Sequence, residues 1–472
     1  MVFSSYNFIF FFLPITLIVF CFLLKLKAAK LSKIWLVLAS LYFYAQGSRD
    51  FLVFFLLIIV FNYLIGMAII KKSESKKDWI ALLLLWIGLI QNIGLLCYYK
   101  YTDFLVNNVN RLLGTDFILK NVLLPIGISF FTFQLIAYLV DCYRGNVKAN
   151  SFLDYLFFVT FFPKLLVGPI VHHEEIAEQL EDKSTFKFNP QNLILGIFIF
   201  SIGCSKKVLI ADPLIYYAQT YYSHLNVAGF FDSWAAVLSY TFAYYFDFSG
   251  YGDMAIGLGL FFNIKLPVNF NSPYKARNFA EFWRRWNITV TQFLNDHIFK
   301  SIYGFGDRTF KLFTAVMITF IVSGIWHGSG WHFVIWGIVN GIFVCLSFAM
   351  TLRSKKLPFL LAWGLTFIGV LMTRVLFDSQ NMTQALQVLS NMISPIKDIS
   401  LFLKTGSQFA TTNMMTILLI IISAAISFGA KNTQEITENF RPNWKYAAFS
   451  AVLLTLALFR MSTVSNFLYF RF

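Results

Sequence analysis

His327 is the residue of this chain whose type and surroundings best suit proton-transfer chemistry. It lies in the stretch Ser-Gly-Ile-Trp-His-Gly-Ser-Gly-Trp-His at residues 323–332, between two apolar runs. The glycines predict that one helix ends near residues 328–330 and another begins at Trp331, a break where substrate can approach the backbone. Histidine titrates near neutral pH and suits general-base work. We therefore predict a functional His327, and for His332 we favour a hydrogen bond between helices.

Two further polar clusters interrupt the apolar sequence. Asp247 and Asp253 lie in Tyr-Phe-Asp-Phe-Ser-Gly-Tyr-Gly-Asp, residues 245–253. Ionisable groups inside membrane helices are costly and therefore candidates for function, as cation ligands or to orient a histidine, but satisfying helix ends is an equally good interpretation. Gln134, in Pro-Ile-Gly-Ile-Ser-Phe-Phe-Thr-Phe-Gln at residues 125–134, either lines a polar tunnel or, more simply, joins two helices by a hydrogen bond.

Several common catalytic motifs are absent from the sequence. There is no Gly-x-Ser-x-Gly nucleophile elbow, no Walker phosphate loop and no His-Glu-x-x-His zinc motif. The five cysteines lie in or beside apolar runs without metal-type pairing, so neither a metal nor another bound cofactor is predicted.

The elements that position these residues are predicted to be membrane-spanning helices. The chain has 472 residues, of which 58% are hydrophobic and 13% charged, whereas soluble domains have about 25% charged residues. Many continuous apolar runs reach the ~20 residues that a helix needs to cross a bilayer. A membrane β-barrel would show alternating polarity instead. We predict an all-α polytopic membrane protein with about ten to twelve crossings plus re-entrant and interfacial helices.

Basic residues predict the orientation in the membrane. The formal net charge is +15, with four lysines between residues 25 and 33 and four between 71 and 77. Such clusters favour the cytoplasmic side, and the two lie two crossings apart, so both can be cytoplasmic. The N-terminus and, by the same argument, residues 461–472 are then extracytoplasmic. Contacts with membrane lipids explain the charge better than nucleic acid, for which no binding module is visible.

The segment 263–311 is basic and aromatic, with only partial helical periodicity. Residues 278–299 are predicted to form one amphipathic helix whose surroundings include four cations, Lys275, Arg277, Arg284 and Arg285. One interpretation is a helix lying in the membrane interface. The other is a helix that lines a cavity for an anionic donor, and composition alone favours neither.

Taken together, seven stretches resemble the membrane-bound O-acyltransferase (MBOAT) superfamily, in its bacterial branch that acylates cell-envelope polymers. They follow the family's order: Met-Val-Phe-Ser-Ser at residues 1–5, Leu-Pro-Ile-Gly-Ile-Ser-Phe-Phe-Thr-Phe-Gln at 124–134, Phe-Pro-Lys-Leu-Leu-Val-Gly-Pro at 162–169, Tyr-Phe-Asp-Phe-Ser-Gly-Tyr at 245–251, Phe-Asn-Ser-Pro-Tyr at 270–274, Phe-Trp-Arg-Arg-Trp at 282–286 and Ser-Gly-Ile-Trp-His-Gly at 323–328. The resemblance implies a single domain over residues 1–472, with its core motifs at about 120–350 and a bundle around a central tunnel.

The resemblance implies that His327 is the catalytic histidine. At the position after the Phe-Trp-Arg-Arg-Trp motif we expect a second histidine in the bacterial branch, but this chain has Asn287. Asparagine forms hydrogen bonds yet does not titrate near neutral pH. His327 is therefore left as the base, with Asn287 to steady the thioester carbonyl or orient the histidine. Trp326, Gln134 and Asp247 are further candidates for donor binding.

The six C-terminal residues, Phe-Leu-Tyr-Phe-Arg-Phe at 467–472, are similar to the end of alginate and peptidoglycan O-acetyltransferases. The resemblance implies that Tyr469 takes the acyl group and passes it to an extracytoplasmic SGNH or esterase-like acetyltransferase partner. An aromatic anchor at the interface is the alternative.

The implied activity is transfer of an acetyl group from acetyl-CoA or another acyl thioester, such as an acyl carrier, to a peptidoglycan- or alginate-like glycan across the bacterial cytoplasmic membrane. D-alanyl transfer to teichoic acid, a lipid or protein acyltransferase, and a transporter or flippase of lipid-linked glycan remain alternatives. A transporter would predict inverted repeats, which the sequence does not show.

Overall fold

The protein is helical throughout the part that the structure describes. The computed structural model covers residues 1–73, 79–148, 151–226, 228–304, 309–355, 357–394, 399–438 and 440–461. Within these ranges the regular structure is helix and no strand occurs. Helices satisfy their own backbone hydrogen bonds, which lipid cannot do for them. The all-α polytopic membrane fold is therefore confirmed.

The α-helices are numbered in chain order. In the first half they are α1 Leu13–Lys25, α2 Ala29–Ser48, α3 Leu52–Ser73, α4 Trp79–Leu113, α5 Ile128–Arg144, α6 Phe152–Thr160, α7 Phe162–Leu165, α8 His173–Glu181, α9 Pro190–Ser205, α10 Asp212–Ser223 and α11 Phe230–Phe261. In the second half they are α12 Phe279–Arg285, α13 Ile288–Leu294, α14 Lys300–Tyr303, α15 Thr309–His327, α16 Trp331–Leu352, α17 Phe359–Asp378, α18 Met382–Ile393, α19 Ile399–Thr412, α20 Met414–Gly429, α21 Thr433–Thr437 and α22 Trp444–Arg460. Single π-helical turns occur at Asn7–Phe12, Lys206–Ala211 and Asn295–Phe299, and 3₁₀ turns at Arg49–Phe51 and Pro273–Lys275.

Fewer helices qualify as membrane spans than the apolar runs suggested. Among the described residues, seven helical stretches are long and apolar enough to cross, or eight if the bent pair Phe402–Thr412 and Met414–Gly429 is one span. One stretch, Ala29–Lys72, has 44 residues, enough for two crossings of ~20 residues. By contrast, α5 and α22 have 17 residues each. Joined helices, helices of 17 residues and α11, which has 32 residues but is not among the seven, all contribute to the difference from ten to twelve.

The described residues form two compact units. The first comprises Met1–Phe200, Met254–Pro267 and Pro442–Ala447, and the second comprises Ser201–Asp253, Val268–Arg441 and the chain from Ala448 onward. In the first unit, the rings of Phe3, Phe8, Phe43 and Phe162 pack with centroids 5.0–6.4 Å apart in one buried cluster. Aromatic side chains that look like strand formers in sequence are thus the core of a helical unit.

In the second unit, α15 and α16 are antiparallel neighbours that approach closely. A Cβ atom on Gly324 would clash with the carbonyl oxygen of Phe333, and one on Gly337 would clash with that of Phe320. Small residues allow this kind of backbone contact between membrane helices. The break between α15 and α16 falls at residues 328–330, so this prediction is confirmed.

The prediction of one continuous helix over residues 278–299 is wrong. The helix is interrupted between α12 and α13 at Asn287, whose backbone is left-handed with φ of +43°. Asn278 caps α12 by accepting a hydrogen bond from the Glu281 amide at 2.8 Å, as asparagine often does. The segment therefore forms two short helices, α12 and α13, in place of one.

Candidate active site

The second unit contains a cavity of about 380 Å³ with His327 and Asn287 both in its wall. The remaining lining residues are Asn278, Ala280, Trp283, Arg284, Trp286, Val290, Thr291, Leu294, Asn295, Phe299, Val316, Thr319, Phe320, Ser323, Val344, Phe348 and Thr351. They come from α12, α13, the π turn after it, α15 and α16. A cavity of this size holds a small ligand or an extended chain.

His327 lies at one end of the stripe that α15 contributes to the cavity. The stripe consists of residues spaced three or four apart, Val316, Thr319, Phe320, Ser323 and His327, which fall on one face of an α-helix. His327 is the last residue of α15. The helix thus presents a wall of two apolar and two hydroxyl-bearing side chains that ends in an imidazole.

Aromatic rings fix the orientation of the His327 imidazole. Its ring centroid lies 4.8 Å from that of Trp326, 5.1 Å from that of Trp336 and 5.1 Å from that of Phe377, with edge-on geometry at Trp336 and Phe377. Such packing leaves the ring few alternative rotamers. The three rings also make the immediate surroundings of the imidazole apolar, and a low local dielectric strengthens electrostatic interactions.

Asn287 faces the cavity from the break between α12 and α13. The residue is 7% exposed, and its side-chain amide forms no hydrogen bond with any other described residue. Asparagine is one of the few residues with a side chain that tolerates the left-handed region. The amide is therefore available to a ligand as donor or acceptor.

Hydrogen bonds from residues 269–271 hold the Asn287 break in place. The Ile288 amide donates to the Asn269 carbonyl at 2.9 Å, and the Asn271 amide donates to the Arg285 carbonyl at 3.0 Å. The Asn269 side-chain oxygen also accepts from the Thr289 hydroxyl at 2.7 Å. These bonds replace helical ones on both sides of Asn287, which explains why the predicted continuous helix does not form.

The loop that carries Asn271 is itself anchored. The Asn432 side chain donates to Asn271 at 2.9 Å and to the Ser272 hydroxyl at 3.0 Å. The Tyr274 hydroxyl donates to the Thr241 carbonyl at 2.7 Å. Burial raises the pKa of the Tyr274 phenol, so it stays a neutral donor.

Of the four predicted cations, only Arg284 lines the cavity. Lys275 donates to the Ala430 carbonyl at 2.7 Å. Arg277 stacks over the Phe359 ring at 4.7 Å. Arg285 forms an ion pair with Glu281 at 2.8 Å and also donates to the Asn271 carbonyl. These three cations contribute to the fold around the site, and Arg284 alone is placed to meet a ligand there.

Two other predicted site residues, Trp326 and Gln134, do not line the cavity. Trp326 is buried against His327. Gln134 belongs to the first unit, where its amide donates to the Phe158 carbonyl at 2.9 Å and joins α5 to α6. Tyr469 and the rest of 467–472 lie outside the described residues.

Asp247 and Asp253 are both engaged by lysines that the sequence analysis did not single out. Asp247 is fully buried and forms an ion pair with Lys207 at 2.7 Å, and Lys207 also pairs with Asp212 at 2.8 Å. Asp253 accepts from Lys206 at 2.7 Å. The signal was present, because both lysines interrupt an apolar run, where ionisable groups are rare.

A third residue that the sequence analysis missed is Arg374 of α17. Its guanidinium lies 4.1 Å from the centre of the Tyr244 ring and 5.4 Å from that of Trp286, which lines the cavity. Asp378 lies 4.0 Å away from it. This buried arginine supports the aromatic wall by cation–π contact.

The arrangement can support acyl transfer to a hydroxyl. An imidazole at the end of a largely apolar cavity can remove the proton of an attacking hydroxyl, and an amide or hydroxyl donor can stabilise the oxygen on which charge develops. An exposed arginine, Arg284, can attract an anionic donor.

Comparison with known proteins agrees with this chemistry. The model of MBOAT, the membrane-bound O-acyltransferase family, matches residues 8–377. The chain is 38% identical to the peptidoglycan O-acetyltransferase of Helicobacter pylori, over 100% of this chain and 98% of that protein. It is 34% identical to the probable alginate O-acetylase AlgI of Azotobacter vinelandii, over 90% of this chain and 84% of that protein. It is 27% identical to the teichoic acid D-alanyltransferase of Streptococcus thermophilus, over 49% of this chain and 58% of that protein.

Proposed function

The chain belongs to the membrane-bound O-acyltransferase family and is an acyltransferase, and on this premise we propose that it O-acetylates a cell-envelope polysaccharide from a cytoplasmic thioester. The observation that carries the proposal is that His327 and Asn287 face one cavity, whose largely apolar wall also bears Arg284. A base, a carbonyl-binding amide and a cation are what acetyl transfer from an anionic thioester requires.

In the proposed reaction, His327 takes the proton of an acceptor hydroxyl as its oxygen attacks the thioester carbonyl. Asn287 donates to the carbonyl oxygen, where negative charge develops. When the C–S bond breaks, the thiolate leaves and takes up the proton from His327. The imidazole is then ready for another cycle, so no metal or other cofactor is needed.

The proposed acceptor in the membrane is Tyr469. The lysine clusters favour an extracytoplasmic C-terminus, which would let an acetyl-tyrosine meet an SGNH or esterase-like acetyltransferase partner outside the cytoplasmic membrane. The partner would then acetylate the glycan. The thioester is acetyl-CoA or an acyl-carrier conjugate.

Peptidoglycan is the glycan we propose first, with an alginate-like polymer second. The peptidoglycan O-acetyltransferase of Helicobacter pylori matches over the full chain at 38% identity, and the alginate O-acetylases match at 32–34%. D-alanyl transfer is less well supported, because the D-alanyltransferases match about half of the chain.

The proposal is tested with acetyl-CoA labelled in the acetyl group and membranes that contain the chain. We expect base-labile label on the wild-type chain and, in cells, base-labile acetyl groups on purified peptidoglycan that disappear when the gene is deleted. Tyr469→Phe should abolish label on the chain, whereas Tyr216→Phe, an exposed tyrosine of α10, should not. Normal label in Tyr469→Phe would contradict the relay, and unchanged acetyl content of every glycan after deletion would contradict the function.

A further inference from the structure

Ser323 differs from the other hydroxyl-bearing residues of the cavity. Four such residues line it, and three of them donate to backbone carbonyls. Thr291 donates to the Trp283 carbonyl at 3.2 Å, Thr319 to that of Ala315 at 2.7 Å and Thr351 to that of Ser347 at 2.9 Å. The Ser323 hydroxyl forms no hydrogen bond with any other described residue.

The position of Ser323 distinguishes it more than the missing bond does. Buried helical serines without a hydrogen-bond partner among the described residues also include some that lie outside the cavity lining, namely Ser239, Ser249, Ser423 and Ser427. Serine and threonine in helices commonly donate to the carbonyl four residues earlier, and in this chain Ser40 and Ser347 do so. Ser323 is only 5% exposed, yet its hydroxyl oxygen is not among the described side-chain atoms that are both fully buried and unbonded. Because Ser323 lies in the cavity wall, its hydroxyl is accessible from the cavity and available to a ligand there.

Ser323 is also close to the proposed reaction centre. It precedes His327 by four residues on α15, and both residues line the cavity. Side chains at this spacing lie on one face of a helix, with Cβ atoms about 6 Å apart. If an acceptor oxygen beside His327 attacks the thioester carbonyl carbon, the carbonyl oxygen comes within reach of donors on the neighbouring wall, among them Ser323.

We propose that Ser323 is a catalytic residue that donates a hydrogen bond to the carbonyl oxygen of the thioester, together with Asn287. This inference rests on the proposed function. As the acceptor oxygen bonds to the carbonyl carbon and His327 takes its proton, the carbonyl electron pair moves onto the oxygen that Ser323 and Asn287 bind. The pair then re-forms the carbonyl, the C–S bond breaks and the thiolate takes the proton from His327. Ser323 keeps its own proton throughout.

The test compares Ser323→Ala with a matched control, Ser347→Ala. Ser347 is a buried serine of α16 that lies outside the cavity lining and donates to the Phe343 carbonyl. Loss of one oxyanion donor lowers kcat about 10²-fold. We expect Ser323→Ala to lower kcat for acetyl-CoA by about this factor with KM within threefold of wild type, and Ser347→Ala to leave both parameters near wild type. Ser323→Thr, which keeps the hydroxyl, should recover part of kcat.

Each outcome decides the inference. Equal losses of kcat in Ser323→Ala and Ser347→Ala would overturn it, because a general packing effect would then explain both. A wild-type kcat in Ser323→Ala would also overturn it, because the hydroxyl would then have no role in the reaction. An acetyl group found on Ser323 by mass spectrometry after acid quenching would also overturn it, since Ser323 would then be a nucleophile. If the wild-type chain does not react with acetyl thioesters, the proposed function fails before Ser323 is tested.

Discussion

Two buried polar regions of the second unit differ in how their side chains are partnered. In the first, Lys207 lies between Asp212 and Asp247, at 2.8 and 2.7 Å, so each carboxylate faces an ammonium group. In the second, Asn287 and Ser323 turn their polar groups to a cavity and bond to no other described residue. Lys207, Asp247, Asn287 and Ser323 are all buried. The ion-paired groups therefore stabilise the fold, whereas the unbonded groups that also face the cavity are the candidates for binding a ligand.

The presence or absence of a partner in the protein also distinguishes among the candidates predicted from the sequence. Asp247 and His327 were both singled out from the sequence as ionisable residues between apolar runs, which are costly inside a membrane. The structure gives Asp247 its counter-ion in Lys207, which explains its burial without a substrate. The side chains of Asn287 and Ser323 have no such partner among the described residues and face the cavity, so they are better candidates for chemistry.

The largest expected effect on stability is that of breaking the charge cluster with Lys207→Met. Two carboxylates would then share a buried site without a cation, which destabilises a protein by about 3–5 kcal/mol. We expect a much lower yield of folded protein and a lower Tm in detergent, with normal activity per folded molecule. The control is Lys300→Met, which removes a largely exposed ammonium group. Equal Tm values for the two variants would show that the cluster does not hold the fold.

A smaller effect, on kcat alone, is expected for Asn287→Gly. Glycine adopts the left-handed backbone of this position without strain, so only the amide is lost, and we expect kcat to fall about 10²-fold with an unchanged Tm. Asn287→Ala should lose the same activity and also about 1 kcal/mol of stability, because alanine is strained at φ of +43°. If Asn287→Gly is fully active, the amide has no role in the reaction and Asn287 serves only to shape the chain.

The smallest effect is expected for Arg284→Gln. An exposed cation contributes up to about 1 kcal/mol to an ionic contact, so KM for acetyl-CoA should rise about fivefold at low salt and little at high salt. We expect kcat to stay the same. Arg277→Gln removes a neighbouring cation that stacks on Phe359 outside the cavity and should leave KM unchanged. Similar increases of KM in both variants would mean that the general surface charge, not Arg284, attracts the donor.

Local sequence patterns predicted the helices and the break beside His327, because hydrophobic runs and glycines act over a few residues. The break at Asn287 could not be predicted in this way. It depends on hydrogen bonds from Asn269 and Asn271, 16–18 residues earlier in the chain, which a helical pattern does not reveal. For Lys207 and Arg374, the sequence signals an unusual charged residue but does not reveal its partners. Each lies in a run that is otherwise apolar, and its aspartate or aromatic partners include residues distant in sequence.

The most direct test of the account is the rate of acetyl transfer from acetyl-CoA by His327→Ala, measured beside His332→Ala. Both histidines flank the same helix break, but only His327 lines the cavity. Loss of a general base lowers the rate by about 10³-fold, so we expect this loss in His327→Ala with normal folding in membranes, and a nearly normal rate in His332→Ala. A wild-type rate in folded His327→Ala, or an equal loss in both variants, would contradict the central claim that His327 is the base.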